Sequence, residues 1–357
     1  MKSLLTLLLP LPLLIVGCNN NSPQSPQSAS AQVTDSLQSK AQGLFKLLPN
    51  VDSAALSPEK IELGKTLYYD TRLSFTGNNS CNSCHNISTY GVDNLPVSPG
   101  DKGENGVRNS PTVFNAALHA MQFWDGRAKT IEQQAGMPIL NPAEMNIPNQ
   151  KFLIDRLNKI EYYQKEFAKA FPNDKSPLTY DNIQNAIGSF ERTLITPSKF
   201  DAYLVGDSKA LDENEKKGLG VFIKAGCTAC HSGQNLGGEM LQKFGLNADY
   251  WTQTKSKKVD SGLYSITKKE SDKFIFKVPS LRNIEKTAPY FHDGSVSDLK
   301  DAIKIMATLQ TNTSLTDDDI KNVEAFLKTL TSSIPDSAKE APKVLAENSI
   351  LLKDRKK

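Results

Sequence analysis

Four of the five cysteines in this 357-residue chain lie in two copies of one short pattern, Cys-x-x-Cys-His. Two thiols three residues apart can reach the two vinyl groups of one porphyrin, and the adjacent histidine then lies beneath the iron. A zinc site would need more ligands than one motif offers, and Cys-x-x-Cys disulfides are usually catalytic. The pattern therefore predicts two covalently bound c-type haems. The residues that would hold them are Cys81, Cys84 and His85 in the first motif and Cys227, Cys230 and His231 in the second.

Residues 1–17 are typical of an export signal. A lysine is followed by the apolar run 4–16, which is shorter than the about 20 residues of a membrane span. A glycine then precedes Cys18, as in bacterial lipoprotein signals, where the cysteine is acylated. A plain secretory signal with an incidental cysteine is the alternative. We expect a periplasmic protein that is lipid-anchored at Cys18, and Asn19 favours the outer membrane.

The segment after the signal is polar. Residues 18–43 are rich in Ser, Gln and Asn, so we interpret them as a flexible tether and expect the folded part to start near Leu44. The chain has 42 Lys and Arg against 39 Asp and Glu, without the basic excess that nucleic-acid binding requires. We expect no nucleic-acid partner and membrane contact only through the lipid.

The remaining chain predicts a mainly α fold of two cytochrome c-like haem domains with few short strands. A helix candidate precedes each motif, one capped by Ser57 and the other by Asp212. Apolar spacing predicts further helices at 183–194 and 316–330, whereas only 274–278 alternates like a strand. The expected boundaries are 44–195 for the first domain, 196–335 for the second and 336–357 for a tail.

Whether a protein side chain is the second axial ligand of a haem distinguishes an electron carrier, which has one, from a catalyst, in which that position is open. Met306 ends a helix-like run, 299–306. Core packing is the usual role of such a methionine, but a haem domain without another obvious ligand favours ligation. The other nitrogen and thioether candidates are His119, His292, Met121, Met137, Met145 and Met240.

Further motifs make the chain similar to a known family. They are Gly91-Val92-Asp93-Asn94, Arg108-Asn109-Ser110-Pro111-Thr112, Gln122-Phe123-Trp124-Asp125-Gly126-Arg127, Glu144-Met145, Phe190-Glu191-Arg192-Thr193-Leu194, Pro279-Ser280-Leu281-Arg282-Asn283 and Thr287-Ala288-Pro289-Tyr290-Phe291-His292. With them, residues 55–335 resemble the bacterial di-haem cytochrome c peroxidases, which are related to the MauG-type enzymes.

The resemblance implies different tasks for the two haems. The first would be the low-potential haem that reacts with peroxide, and the second would be the high-potential electron-entry haem with Met306 as its ligand. Gln134 and Glu144 match the family's pair in the peroxide pocket, and Trp124 matches the residue between the haems. A carboxylate there can move the peroxide proton from one oxygen to the other, while Gln134 holds the substrate by hydrogen bonds.

The resemblance also implies partners. The substrate would be hydrogen peroxide, and a small periplasmic cytochrome c or cupredoxin would donate the electrons. Asn109, Thr287 and Pro289 match calcium ligands at the domain interface, the last two through backbone carbonyls. Family members are commonly homodimers, and the tail would pack on the first domain.

One position departs from the family pattern. Many members carry a histidine sixteen residues after the first axial histidine, and it blocks the peroxide-binding iron until the other haem is reduced; here that residue is Asp101. We therefore expect activity without reductive activation and a mobile glycine-rich loop at 100–106. His119 is the alternative blocking ligand, although we place it in a helix-like run, where it would be less mobile.

Two other functions stay open. A MauG-like enzyme oxidises a protein partner, but that group has a tyrosine where Met306 stands. A two-haem electron carrier would need two protein ligands on both irons, and Asp101 leaves the first iron without its expected one.

Overall fold

The computed structural model describes residues 29–49 and 56–346. The predicted signal peptide, Cys18 and the start of the predicted tether lie outside the described residues. No helix within these ranges is long and apolar enough to cross a membrane. The helices are α1 (Ala29–Leu44), α2 (Pro58–Tyr69), α3 (Cys81–Cys84), α4 (Ile131–Leu140), α5 (Gln150–Asn158), α6 (Glu161–Ala170), α7 (Tyr180–Glu191), α8 (Lys199–Leu204), α9 (Glu213–Lys224), α10 (Tyr250–Thr254), α11 (Tyr264–Thr267), α12 (Leu299–Met306), α13 (Asp317–Lys328), α14 (Asp336–Lys339) and α15 (Lys343–Ala346), and the strands are β1 (Leu241–Lys243) and β2 (Ile275–Lys277).

The two strands form one antiparallel sheet in which Gln242 pairs with Phe276. The predicted fold class, mainly α with few short strands, is confirmed for the described chain. The predicted caps also form: Ser57 accepts a hydrogen bond from the backbone of the first turn of α2, and Asp212 and Thr316 do the same for α9 and α13. These helices therefore start where local side-chain chemistry satisfies their free N–H groups.

Each domain is built on one closely packed pair of helices. The first core surrounds α2 and α7, and the second surrounds α9 and α13. A glycine permits the contact in both pairs: a Cβ at Gly64 would lie 1.8 Å from the carbonyl oxygen of Ala186, and a Cβ at Gly218 would lie 1.8 Å from that of Asn322. The first helix of each pair leads to a haem motif, so both motifs start from the same framework.

The first described residues differ from the prediction. Residues 29–43, which we expected to be a flexible tether, belong to helix α1. Ala41 and Phe45 are buried in the second core, and Gln38 donates a hydrogen bond to the carbonyl of Tyr203 at 2.7 Å. The tether prediction was wrong here because an apolar stripe at helical spacing lies within a segment that is polar overall. The folded part thus begins before Leu44, and on the second domain.

The last described residues pack on the first domain. Lys65 Nζ donates to the carbonyl of Ser337 at 2.7 Å, and the hydroxyl of Tyr69 donates to that of Ala338 at 3.1 Å. Ile334 is buried in the first core. The described part of the tail, 336–346, therefore lies against the first domain.

Two loops repeat as well as the helices. One antiparallel bridge closes loop 122–128 in the first domain, and another closes loop 290–296 in the second. The second residue of each loop is a phenylalanine with a left-handed backbone, φ 67° and 70°, and α4 or α12 begins three residues after the loop. Residues at the same place in each stretch are therefore equivalent. Trp124 corresponds to His292, and Pro138, the eighth residue of α4, corresponds to Met306, the eighth residue of α12.

Candidate active site

The first haem motif lines a cavity of about 990 Å³. Helix α3 carries both cysteines, and His85 caps its C-terminal end. Nδ1 of His85 lies 2.8 Å from the carbonyl oxygen of Pro111. A carbonyl only accepts hydrogen bonds, so Nδ1 carries the proton and Nε2 keeps the lone pair that an iron ligand needs. Burial lowers the pKa of His85, although the Pro111 hydrogen bond opposes this effect. The lowered pKa keeps the ring neutral.

The second motif lines an adjoining cavity of about 370 Å³. Nδ1 of His231 lies 2.9 Å from the carbonyl oxygen of Leu236, so this ring has the same tautomer. Met306, at the end of α12, lies in the lining of this cavity together with both motif cysteines. Met240 lines it too. The structure thus brings the predicted ligand pair to one cavity and adds a second thioether beside it.

Both cavities fit a covalently attached haem. Each has on its wall the two thiols and the neutral imidazole of its own motif. The four motif cysteines are free of disulfides in the described chain. Within residues 29–49 and 56–346, no group of three or more His, Cys, Asp or Glu side chains could hold a metal ion. The zinc alternative therefore has no ligand set in this part of the chain.

Two polar side chains reach the first cavity from α4 and the turn after it. Gln134 and Glu144 both line this cavity with the haem motif. Helix α4 ends at an Asn-Pro turn, where Asn141 Nδ2 donates to Glu144 Oε1 at 2.8 Å. Burial raises the pKa of Glu144, and the Asn141 hydrogen bond and the charge of Arg127 oppose this effect. Sequence reasoning missed Asn141, although the Asn-Pro dipeptide is a recognisable turn signal.

Asp101 occupies the position of the missing blocking histidine, and its side chain makes other contacts. Its carboxylate accepts hydrogen bonds from the backbone N–H and the hydroxyl of Thr76 at 2.9 and 2.6 Å. Its backbone N–H donates to the carbonyl of Glu144 at 2.7 Å. A Cβ at Gly100 would lie 2.1 Å from the carbonyl oxygen of Ala143. The loop that we expected to be mobile is therefore tied to the turn that carries Glu144.

Trp124 lies in the wall between the cavities. Its indole Nε1 donates to the carbonyl of Asn109 at 2.8 Å, and the backbone N–H of Lys277 donates to the carbonyl of Trp124 at 2.7 Å. One contact comes from each domain, so the tryptophan is held where the domains meet. The residues that line both cavities are Asn109, Ser110, Pro111, Thr112, His119, Trp124 and Lys277.

His119 lies in the same wall, but the helix-like run that we expected is wrong. It caps a short 3-10 helix, Ala116–Leu118, and its own backbone is extended, with φ −76° and ψ 145°. Its Nδ1 lies 2.9 Å from Nζ of Lys277, and a Cβ at Gly238 would lie 2.4 Å from its ring. These two contacts hold the imidazole in place.

The pair formed by His119 and Lys277 is buried. Burial lowers the pKa of Lys277 to about 8. Burial and the charge of Lys277 lower the pKa of His119 well below its usual value. The neutral imidazole therefore accepts a hydrogen bond from the ammonium group. Sequence reasoning missed Lys277, and its signal was a lone lysine within the apolar run 274–278.

The three predicted calcium ligands lie at the domain boundary. The backbone N–H of Asn109 donates to the carbonyl of His292 at 2.7 Å, which joins the two domains. Asn109 Nδ2 donates to the carbonyl of Leu95 at 2.9 Å, so the amide oxygen remains as the candidate ligand. Thr287 and Pro289 line the second cavity, as Asn109 also does. Oxygen atoms of both domains are thus available on this side, and calcium stays a prediction.

Comparisons with known proteins agree with this geometry. Residues 58–209 match the family model of di-haem cytochrome c peroxidase, and residues 215–331 match that of cytochrome c. The cytochrome c551 peroxidase of Pseudomonas aeruginosa is 45% identical over 309 residues, which cover 84% of this chain and 88% of that protein. The chain belongs to the di-haem cytochrome c peroxidase family. This peroxidase is therefore a haem oxidoreductase with two c-type haems.

Two further comparisons extend over most of the peroxidase. The cytochrome c551 peroxidase of Nitrosomonas europaea is 43% identical and covers 79% of this chain and 84% of its own length. The crystal structure of a MauG-like protein associated with microbial copper homeostasis superposes with a TM-score of 0.71 at 30% identity, over 83% of this chain and 96% of that one. The similarity thus includes both haem domains.

Proposed function

We propose that this peroxidase reduces hydrogen peroxide to water in the first cavity, with electrons that enter at the second. The observation that carries the proposal is the difference between the equivalent residues Pro138 and Met306, each of which lines the cavity of its own domain. A methionine thioether can be the second ligand of a haem iron, whereas a proline side chain cannot. The second site is thus suited to electron transfer, and the first is suited to binding a substrate.

The side chains of the first cavity supply the proton chemistry. A haem held by the first motif would supply an iron that binds and reduces peroxide. Glu144 would take the proton from one peroxide oxygen and return it to the oxygen that leaves as water. Gln134 would hold the peroxide by hydrogen bonds, and Asn141 orients the carboxylate through its contact of 2.8 Å. One peroxide, two electrons and two protons give two waters.

Trp124 marks the proposed route for electrons between the cavities. It lines both of them, and backbone hydrogen bonds from both domains hold it in place. The fixed position supports electron transfer because the indole need not move. We place the direction of flow from the haem of His231 to the haem of His85.

We also propose that the enzyme needs no reductive activation. Besides His85, the described lining of the first cavity holds one imidazole, that of His119. Lys277 and Gly238 hold this ring, and Thr76 binds the side chain of Asp101. Neither residue is arranged as a mobile ligand that blocks the first iron.

The remaining parts of the proposal concern location and partners. The donor would be a small periplasmic cytochrome c or cupredoxin, which reaches the second haem. Acylation of Cys18 would anchor the enzyme, with the outer membrane as the expected site. Asn109, Thr287 and Pro289 would bind calcium between the domains, and the enzyme would be a homodimer.

The test is peroxide turnover with a reduced small cytochrome c, started from the fully ferric protein with both haems attached and calcium present. Immediate steady turnover supports both the peroxidase and the absence of a blocking ligand. A lag that pre-reduction removes would contradict constitutive activity, and loss of the lag in His119→Ala would identify the ligand. Absence of turnover from either state would contradict the peroxidase and favour the carrier or the MauG-like enzyme.

A further inference from the structure

Glu191 is a buried acid that the peroxidase mechanism above does not use. It is the last residue of α7, its exposure is 5%, and it lines the first cavity together with Cys81. Its Oε2 atom has no hydrogen-bond partner among residues 29–49 and 56–346. Buried carboxyl groups are normally paired, so an unpaired one on a cavity wall requires an explanation.

The position of Glu191 has an equivalent in the second domain. The segment Phe190-Glu191-Arg192-Thr193-Leu194 corresponds to Phe326-Leu327-Lys328-Thr329-Leu330. The correspondence follows from the helix pairs, since Ala186 and Asn322 make the same contact with a glycine. Glu191 lies five residues after Ala186, and Leu327 lies five residues after Asn322. Leu327 is buried and lines the second cavity. The same wall position is therefore acidic beside the first haem site and apolar beside the second.

The surroundings of Glu191 favour its neutral form. Burial raises the pKa of Glu191 to about 8, the negative charge of Glu132 on α4 adds to this effect, and the positive charge of Arg192 opposes it. Two groups face it from the other packed helices. Tyr68 on α2 is neutral because burial raises its pKa, and Cys81 on α3 would be an uncharged thioether once the haem is attached. A single added charge in the cavity can therefore change its protonation.

Two partly exposed charges act on the buried acid. Arg192 Nε donates to Glu132 Oε1 at 2.8 Å, and these two side chains are 38% and 23% exposed. Glu132 is the charge that acts most strongly on Glu191 and is in contact with water. Both charges that act on Glu191 are thus open to solvent.

We propose that Glu191 takes up one proton from solvent when the first haem accepts an electron, and releases it when that haem is oxidised. The inference rests on the proposed function only in requiring a redox-active haem in the first cavity. An electron added to the haem makes the cavity more negative, so the neutral acid is favoured beside the reduced haem and the carboxylate beside the oxidised haem. Charge in the cavity is thereby balanced at each one-electron step.

The test is a spectroelectrochemical titration of both haems in the protein with both haems attached, between about pH 6 and 9. The midpoint potential of the first haem should fall with rising pH by up to about 59 mV per unit, which is the value for one proton per electron. The second haem, which has Leu327 beside it, should show a flat profile in the same sample. Glu191→Gln, of equal size, should remove the slope of the first haem, and Glu191→Leu should do the same.

Two further variants separate the possible causes. Glu132→Gln should keep the slope and move it to lower pH, because one neighbouring negative charge is lost. Glu144→Gln should keep the slope and lose turnover. A slope that survives in Glu191→Gln would overturn the inference even if turnover is normal. If the wild-type protein shows no peroxide turnover, but the pH dependence of the first haem's potential still requires Glu191, the proposed function is overturned and this inference stands.

Discussion

The two haem domains share their framework and differ in the residues that face their cavities. In both, a glycine packs the first helix against the last, and a backbone carbonyl orients the axial histidine. Three pairs of equivalent residues that differ are Pro138 and Met306, Trp124 and His292, and Glu191 and Leu327. The parts that hold a haem are therefore common to both domains, and a few side chains on the cavity wall decide what each haem can do.

The largest expected effect comes from replacing Glu144, the carboxylate that lines the first cavity together with Gln134. Glu144→Gln keeps the shape of the side chain and removes the proposed proton acceptor, so we expect kcat to fall by roughly 10²–10⁴-fold. The measurement is steady-state peroxide turnover with both haems attached. Glu104→Gln is the matched control, because this carboxylate is exposed in the neighbouring loop, and it should retain full activity. Equal loss in both variants would contradict the role of Glu144.

Removing the thioether of the second domain should make the two haem sites more alike. In Met306→Leu we expect a high-spin second haem whose potential falls by about 0.1 V or more, within the ~0.8 V range that axial ligands cover. Ferric absorption spectra and redox titration measure both effects. Met240→Leu is the control, since Met240 lines the same cavity. If this control loses the low-spin spectrum and Met306→Leu keeps it, the ligand assignment is wrong.

The shared framework predicts equal damage in the two domains. Gly64→Ala and Gly218→Ala would each force a methyl group against a backbone carbonyl, and we expect each to lower the free energy of unfolding by about 1–3 kcal/mol. Thermal unfolding of the protein with both haems attached measures this effect.

Gly220 in α9 provides the control for this pair. Within the described chain, no atom other than those of its sequence neighbours and the backbone of its own helix would lie within 4 Å of a Cβ at this position. Gly220→Ala should therefore be neutral or stabilise by up to about 1 kcal/mol. Destabilisation of only one domain by its glycine variant would show that the two helix pairs are not equivalent.

The smallest expected effect concerns pH. In the proposed mechanism Glu144 acts as a base when ionised, so turnover should fall as the pH decreases through its raised pKa. Asn141→Ala removes a hydrogen bond that stabilises the carboxylate, which raises this pKa further, and the acid limb of kcat/KM should move to higher pH by roughly one unit. Asn149→Ala, which removes the amide that caps α5, should leave the limb in place. A limb that moves to lower pH in Asn141→Ala would contradict this assignment.

The sequence predicted the local features of the molecule well. The haem motifs, the caps at Ser57, Asp212 and Thr316, and the single strand signal at 274–278 each depend on residues a few positions apart. Gln134, Glu144 and Trp124 came from resemblance to a family, and the structure brings all three to the lining of the first cavity.

The errors share one cause, which is contact between distant parts of the chain. Helix α1 is polar on average and is ordered by a stripe that packs on the second domain, more than 150 residues away. The Asp101 loop, which we predicted to be mobile, is held by its contacts to Thr76 and Glu144. The prediction for His119 did not foresee its contact with Lys277, which is distant in the sequence. Pattern and composition contain no information on these partners.

The sequence by itself determined that this protein binds two haems in two helical domains, because covalent attachment and the axial histidine need only five consecutive residues. Only the tertiary structure decided which side chains face each haem. It placed Pro138 and Met306, or Glu191 and Leu327, at equivalent wall positions. The physical reason is that burial, hydrogen bonding and the pKa of a cavity residue depend on neighbours that only folding brings together.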